Sequence, residues 1–233
     1  MPDADLLAQC REHGMPPLAS TGWRRDPAWR TVVITLADAL EGIAPAPARV
    51  AFARLREAGD EWLETQADLL LAGDRQGLDV ACAPVIGAAL QVYWTRLAAA
   101  LDPAWIARRE APGLCPVCGG HPVAGVVRSG DADHGLRYLH CILCGSQWHV
   151  VRARCSHCDN PQGIVYYTVE DCTDPVQAKA CPECRSYLKL CRMDQDSGVE
   201  PLADDLASLA LDLLMSEEGF ARSGVNYLML QSD

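Results

Sequence analysis

The sequence predicts an α+β protein: a helical N-terminal region, two small β-rich modules carrying paired cysteines, and a C-terminal helix. Three observations predict it. Over the first hundred or so positions, apolar residues recur at helical steps of three and four. In the middle of the chain they shorten into β-branched and aromatic runs punctuated by Gly, Asp and Asn. Ten of the twelve cysteines fall in that middle segment, between 115 and 191. The expected divisions are a helical domain over 1–111, a first metal module over 112–150, a second over 151–194, and a C-terminal helix and tail over 195–233.

The elements follow in order. A short helix over 4–13 ends near Gly14 and the Pro16-Pro17 breaker. A second, over 27–40, starts with Asp26 as N-cap and Pro27 at the first helical position. A third is expected over 46–71, with Ala51, Leu55, Ala58, Trp62 and Leu69 on one face. The fourth, over 83–101, stacks Ile86, Leu90, Tyr93, Leu97 and Leu101, and Pro103 follows its end. Such stripes need partners, so a small antiparallel bundle is expected. Strand-like runs cover 123–127, 136–139, 148–151 and 164–169. In the tail, Leu202, Leu206, Leu209 and Leu213 form a last stripe, with Asp204, Asp205 and Asp212 outside it.

Composition narrows the function. The chain has 233 residues and a net charge of −11, distributed as −4 over 1–114, zero over 115–191 and −7 over 192–233. That balance disfavours a nucleic-acid binder, which needs a basic footprint for phosphates. No run approaches the roughly 18 apolar residues of a spanning helix. The acidic start Met1-Pro2-Asp3-Ala4-Asp5 lacks a signal-peptide pattern, so a cytoplasmic location is expected. In a reducing cytosol the cysteines are expected as thiols or metal ligands rather than disulfides.

Four Cys-x-x-Cys pairs stand in the middle segment: Cys115/Cys118, Cys141/Cys144, Cys155/Cys158 and Cys181/Cys184. A gap of 22 residues separates the first two pairs, and the same gap separates the last two, so the set recurs after 40 residues. One pair brings two sulfurs to one side of a tight turn. Two facing pairs complete a tetrahedral tetrathiolate with bonds of about 2.3 Å. Strands this short bury little core, and metal binding substitutes for it. Two ions are expected, one per module, either iron in a rubredoxin-like site or zinc in a ribbon. Gly119 and Gly145 follow the second cysteines of the first repeat, where a knuckle needs a positive φ. Asp159 and Arg185 stand there in the second, so its turns are expected to differ.

Other reactive residues read as structural. Cys10 and Cys82 are small hydrophobes on helices, and Cys172 and Cys191 are surplus to two complete sites. His140 and His157 flank ligand cysteines, but four thiolates already satisfy an ion, and His149 reads as structural or exposed. No Ser-His-acid order, phosphate-binding glycine loop or dinucleotide fingerprint occurs, so no enzyme is expected.

Several longer motifs resemble one family. They are Cys115-Pro116-Val117-Cys118-Gly119-Gly120-His121-Pro122-Val123, Gly135-Leu136-Arg137-Tyr138-Leu139-His140-Cys141 and Trp148-His149-Val150-Val151-Arg152. Cys155-Ser156-His157-Cys158, Tyr187-Leu188-Lys189, the run from Ala203 to Asp212 and the run from Glu218 to Asn226 continue it. Together they resemble the FdhE family of accessory proteins for respiratory formate dehydrogenases, over roughly residues 83–226. At its N-terminus the chain is shorter than the family pattern leads one to expect.

The resemblance implies a non-catalytic cytoplasmic factor with a helical region and two rubredoxin-like modules, in which the eight paired cysteines are the ligands. It also implies a partner, the catalytic subunit of formate dehydrogenase. The leading rival is rubredoxin-like electron transfer to or from that enzyme. A nucleic-acid-binding ribbon conflicts with the charge, and a thiol–disulfide exchanger needs only one pair.

Overall fold

A computed structural model describes residues 1–107, 113–130, 135–169 and 175–229. Five helices come first: α1 (Ala4–Glu12), α2 (Ala28–Leu40), α3 (Ala46–Glu57), α4 (Asp60–Ala72) and α5 (Ala83–Ala99). Asp3 caps α1 by accepting the Leu6 N–H at 2.8 Å. Asp26 likewise accepts the Ala28 N–H at 2.9 Å, and Pro27 already has helical dihedrals.

The helix expected over 46–71 is two helices. Ala58 and Gly59 are both extended, with ψ of 134° and 157°, and α4 restarts at Asp60. Glycine costs about 1 kcal/mol inside a helix, whereas Asp60 and Glu61 favour a new N-terminus through the helix dipole. The restart changes the phase. Ala51 and Leu55 are buried as expected, but beyond the break the buried face is Leu63, Gln66, Ala67 and Leu70 rather than Ala58, Trp62 and Leu69.

Helix α5 is the hub. It packs against α2 and α4, and Ile86, Leu90 and Trp94 are wholly buried. Its Trp94 Nε1 donates to the Leu18 carbonyl at 3.0 Å, and its Gln91 Nε2 donates to the Ile142 carbonyl at 2.8 Å. One continuous apolar core therefore runs from the helices into the first cysteine module, taking in Val117, Ile142 and Leu143.

Among the described residues, six strands make up the middle of the chain: β1 (Pro122–Val127), β2 (Arg137–Cys141), β3 (Gln147–His149), β4 (Val165–Tyr167), β5 (Val176–Cys181) and β6 (Ser186–Arg192). Strands β1–β3 form one antiparallel meander and β4–β6 another. The two fuse into one sheet of order β3-β2-β1-β6-β5-β4, because β1 pairs with β6 in parallel over Gly125–Val127 and Leu190–Arg192. A two-residue strand, β7 (Ala221–Arg222), adds to β6.

The tail departs most from expectation. It forms two helices, α6 (Pro201–Ala207) and α7 (Leu209–Glu217), and of the expected stripe Leu202 and Leu206 are half-buried while Leu209 and Leu213 face outward. Leu209, Leu213 and Leu214 are 43, 67 and 43% exposed, whereas Asp205 is wholly buried. Ion pairing inverts the face. Asp205 accepts from Arg222 Nη2 at 2.6 Å on both oxygens and from Asn226 at 2.7 Å. Buried Lys189 lies 3.4 Å from Asp205 and 2.7 Å from Asp212, which also accepts from the Tyr187 hydroxyl at 2.6 Å. A buried carboxylate is tolerable only with such partners.

Candidate metal centres

Each cysteine pair sits on a hairpin knuckle. In the first, the Gly119 N–H donates to the Cys115 carbonyl at 2.9 Å, and the Cys115 N–H donates to the Gly120 carbonyl at 2.9 Å. Cys141 and Cys155 repeat this pattern with Gly145/Ser146 and Asp159/Asn160. The residue after each second cysteine is left-handed in all four knuckles: φ is 75° at Gly119, 69° at Gly145, 59° at Asp159 and 52° at Arg185. The expected difference between the repeats is therefore absent. Aspartate tolerates this region, and the Arg185 guanidinium is held by the Glu218 carbonyl at 2.6 Å and by the Phe220 ring at 4.3 Å.

The eight cysteines meet as two clusters of four, Cys115/Cys118/Cys141/Cys144 and Cys155/Cys158/Cys181/Cys184, each with all sulfurs within 4.8 Å of one another. In the first, Cys118 and Cys141 Sγ are 3.4 Å apart, and Cys115 and Cys144 Sγ are 3.6 Å apart. In the second, the matching separations are 3.7 Å and 3.8 Å. Sulfurs in a disulfide stand about 2.05 Å apart. Four sulfurs bonded tetrahedrally to one ion at about 2.3 Å stand about 3.8 Å apart. The clusters fit an ion and not a crosslink.

The surroundings suit thiolates. The Gly120 and Leu143 N–H groups donate to Cys118 and Cys141 Sγ, each at 3.4 Å, and the His157 N–H donates to Cys155 Sγ at 3.3 Å. Ser146 Oγ lies 3.2 Å from Cys144 Sγ, and Ser186 Oγ lies 3.0 Å from Cys184 Sγ. A thiolate can only accept, so both hydroxyls can donate to a deprotonated site. A Cβ on Gly120 would stand 3.3 Å from the sulfurs of both Cys118 and Cys141, so glycine leaves the room they need. Contact with Cys115 drives Cys144 far below the ordinary thiol range and Cys118 far above it. Four thiols this close can all ionise only around a cation.

The two clusters differ in setting. All four cysteines of the first are buried, whereas Cys158 is exposed and Cys184 half-buried. Buried Tyr227 stands near the first cluster; burial, then the charge of Cys141, raises its phenol. Two buried cations lie near the second. Burial pulls Lys179 down to about 7 and Arg137 to about 10, while the charge of Cys155 opposes both shifts. Lys179 Nζ donates to the Arg154 carbonyl, and among the described residues Arg137 Nε has no hydrogen-bond partner.

The remaining candidates stay outside the clusters. Cys10, Cys82 and Cys191 are buried, and burial raises both Cys82 and Cys191 to about 12, so those two remain thiols. Cys172 lies outside the described residues. His140 Nδ1 is 3.2 Å from Gln147 Nε2, and His149 packs edge-on to Tyr138 at 5.7 Å. His157 sits at an exposed knuckle tip and joins neither cluster. Sequence reasoning missed the buried pair Arg137 and Lys179, because a lone cation in a strand reads as solvent-facing. No helix of the described residues is long and apolar enough to cross a membrane.

Helices fused to paired four-cysteine knuckles define a class: a scaffold carrying two sites that can each hold a metal ion. Comparison with known proteins makes the class specific. The family model described as "FdhE, N-terminal" matches residues 1–110, "FdhE, central domain" matches 114–152, and "FdhE, C-terminal domain" matches 153–229. The chain belongs to the FdhE family. It is 40% identical to a Protein FdhE homolog of Pseudomonas aeruginosa over 97% of this chain and 75% of that protein. It is also 40% identical to one of Cronobacter sakazakii, over 96% of this chain and 74% of that protein. The crystal structure of the FdhE protein from Pseudomonas aeruginosa superposes with a TM-score of 0.88 at 38% identity, over 98% of this chain and 81% of that one.

Proposed function

We propose that this chain is a non-catalytic, cytoplasmic accessory protein that binds the catalytic subunit of a respiratory formate dehydrogenase during its maturation. In this reading Cys115, Cys118, Cys141 and Cys144 hold one ion, and Cys155, Cys158, Cys181 and Cys184 hold a second. The observation that carries it is the pair of tetrasulfur clusters at tetrahedral spacing in a chain of the FdhE family. Zinc would supply a folding crosslink, and iron would add a one-electron couple to the same crosslink.

Charge supports a protein partner over a nucleic acid. Eight thiolates around two divalent ions leave each site at a formal −2, added to a chain already at −11. Such a surface favours basic or neutral docking patches. The candidate docking segments are 135–140 and 148–152, where sequence alone offers Arg137 and Arg152 as contacts; Arg137 is buried and cannot be one, but Leu136, Val151 and Arg152 are exposed. The rival electron-transfer reading is supported by the exposure of Cys158 and requires iron. A colourless zinc protein would exclude it.

Anaerobic capture on immobilised, metal-loaded protein tests the proposal. The formate dehydrogenase catalytic subunit should be retained. Arg152→Ala should weaken retention roughly tenfold, by removing an exposed side chain of the docking segment, with both ions in place. Metal-replete wild type that retains no formate dehydrogenase subunit would refute the assignment.

A further inference from the structure

The two clusters share geometry but not environment, and the difference is written in their knuckle tips. The residues between the paired cysteines are Pro116-Val117 and Ile142-Leu143 in the first cluster. At the equivalent positions the second has Ser156-His157 and Pro182-Glu183. Val117, Ile142 and Leu143 are at most 4% exposed and belong to the core shared with the helices. His157, Pro182 and Glu183 are exposed, and Ser156 is half-buried. The backbone repeats the contrast. The Leu18 and Ser20 N–H groups donate to the Val117 and Cys118 carbonyls, each at 2.9 Å, and Gln91 holds the Ile142 carbonyl. The first cluster is thus stitched to the helical region from both of its knuckles, through the α1–α2 connection on one side and α5 on the other. Around the second, the ion pair of Arg154 and Asp159 spans 2.6 Å with both side chains 47% exposed.

We infer that the two sites divide their labour: the Cys155/Cys158/Cys181/Cys184 site holds an exchangeable ion, and the Cys115/Cys118/Cys141/Cys144 site holds a permanent structural one. This rests on the reading that each cluster holds a metal. Removing an ion from a tetrathiolate requires an incoming ligand to reach the metal as a protein sulfur leaves. At the second site exposed Cys158 offers that opening, and solvent can protonate its sulfur as it departs. At the first site every sulfur is buried, so the metal becomes reachable only when the core shared with α5 opens. Exchange at the second site is a surface event, and exchange at the first is gated by unfolding. The second ion is therefore the one available to a competing ligand.

The test uses the full chain loaded anaerobically with zinc and challenged with excess EDTA. Metal–sulfur bonds give way to bonds with the chelator, the freed thiolates take up protons, and no electron is transferred. Ions remaining on the protein are counted by mass spectrometry over time. Freed sulfurs are trapped with N-ethylmaleimide, which adds sulfur across its double bond, and are located by peptide mapping.

Release should be biphasic, one ion per phase, with the second roughly a hundredfold slower or more. Alkylation in the first phase should fall on Cys155, Cys158, Cys181 and Cys184, while Cys115, Cys118, Cys141 and Cys144 stay unmodified until denaturant is added. Two ions lost at one rate, or first labelling at Cys115, Cys118, Cys141 or Cys144, would overturn the division of labour and leave the two-metal reading intact. A chain that takes up fewer than two ions would overturn both.

Discussion

Replacing Cys118 with serine is expected to reduce the bound metal from two ions to one per chain and to destabilise the helical region together with the module. The reason is position. Cys118 and its three partners are at most 2% exposed, inside the core that also contains Trp94, Ile86 and Leu90. Structural zinc contributes about 10–16 kcal/mol of apparent binding energy to folding in small peptides, so a site lacking one of four thiolates forfeits much of that. A loss exceeding about 5 kcal/mol is expected here, enough to consume a typical domain's whole stability. Cys144→Ser should behave alike. Cys10→Ser and Cys82→Ala should retain two ions, because neither sulfur joins a cluster. Metal analysis and a thermal melt of each variant check this, and equal metal loss in both groups would contradict the assignment.

The second large effect is expected at Asp205, which holds the C-terminal segment to the sheet. Its buried carboxylate meets Arg222, Asn226 and Lys189 at once. Asp205→Ala takes the acceptor from Arg222 Nη2 and Asn226 Nδ2, and leaves buried Lys189 and Arg222 to share the one carboxylate of Asp212. Breaking a buried ionic network from one side costs about 3–5 kcal/mol. In a chain of this size that lowers the melting temperature by roughly 10–15 °C. Leu213→Ala is the control. Leu213 is 67% exposed, so its removal should shift the melt by no more than about 2 °C. A larger effect at Leu213 than at Asp205 would show that Leu213 faces inward after all.

That reversal marks where sequence reading stops. A leucine stripe with aspartates outside it ordinarily buries the leucines. Nothing local to residues 202–213 reveals that Lys189 on a strand and Arg222 beyond the helix converge on Asp205. The break at Ala58 and Gly59 was legible as a glycine inside a periodic run, but the helical period around it hid the change of phase.

The cysteine clusters were legible for the most part, because spacing fixes which sulfurs share a hairpin and repetition gives the number of clusters. Spacing left open whether knuckles pair across the repeats, and the structure pairs them within each repeat. The same repeat could have located β5 and β6, which lie 40 residues beyond β2 and β3. The parallel pairing of β1 with β6 had no sequence signal, since it joins strands more than 60 residues apart through backbone groups alone. Nor did composition alone reveal that Asp159 and Arg185 would take the left-handed turn. The demand of four converging sulfurs overrides the residue preference there.

Each tetracysteine cluster is expected to hold a metal ion. Purifying the full chain anaerobically, then measuring metal content per chain alongside its visible spectrum, tests it most directly. The prediction is two ions per chain, red if iron and colourless if zinc. A folded preparation containing one ion, or none, would contradict it.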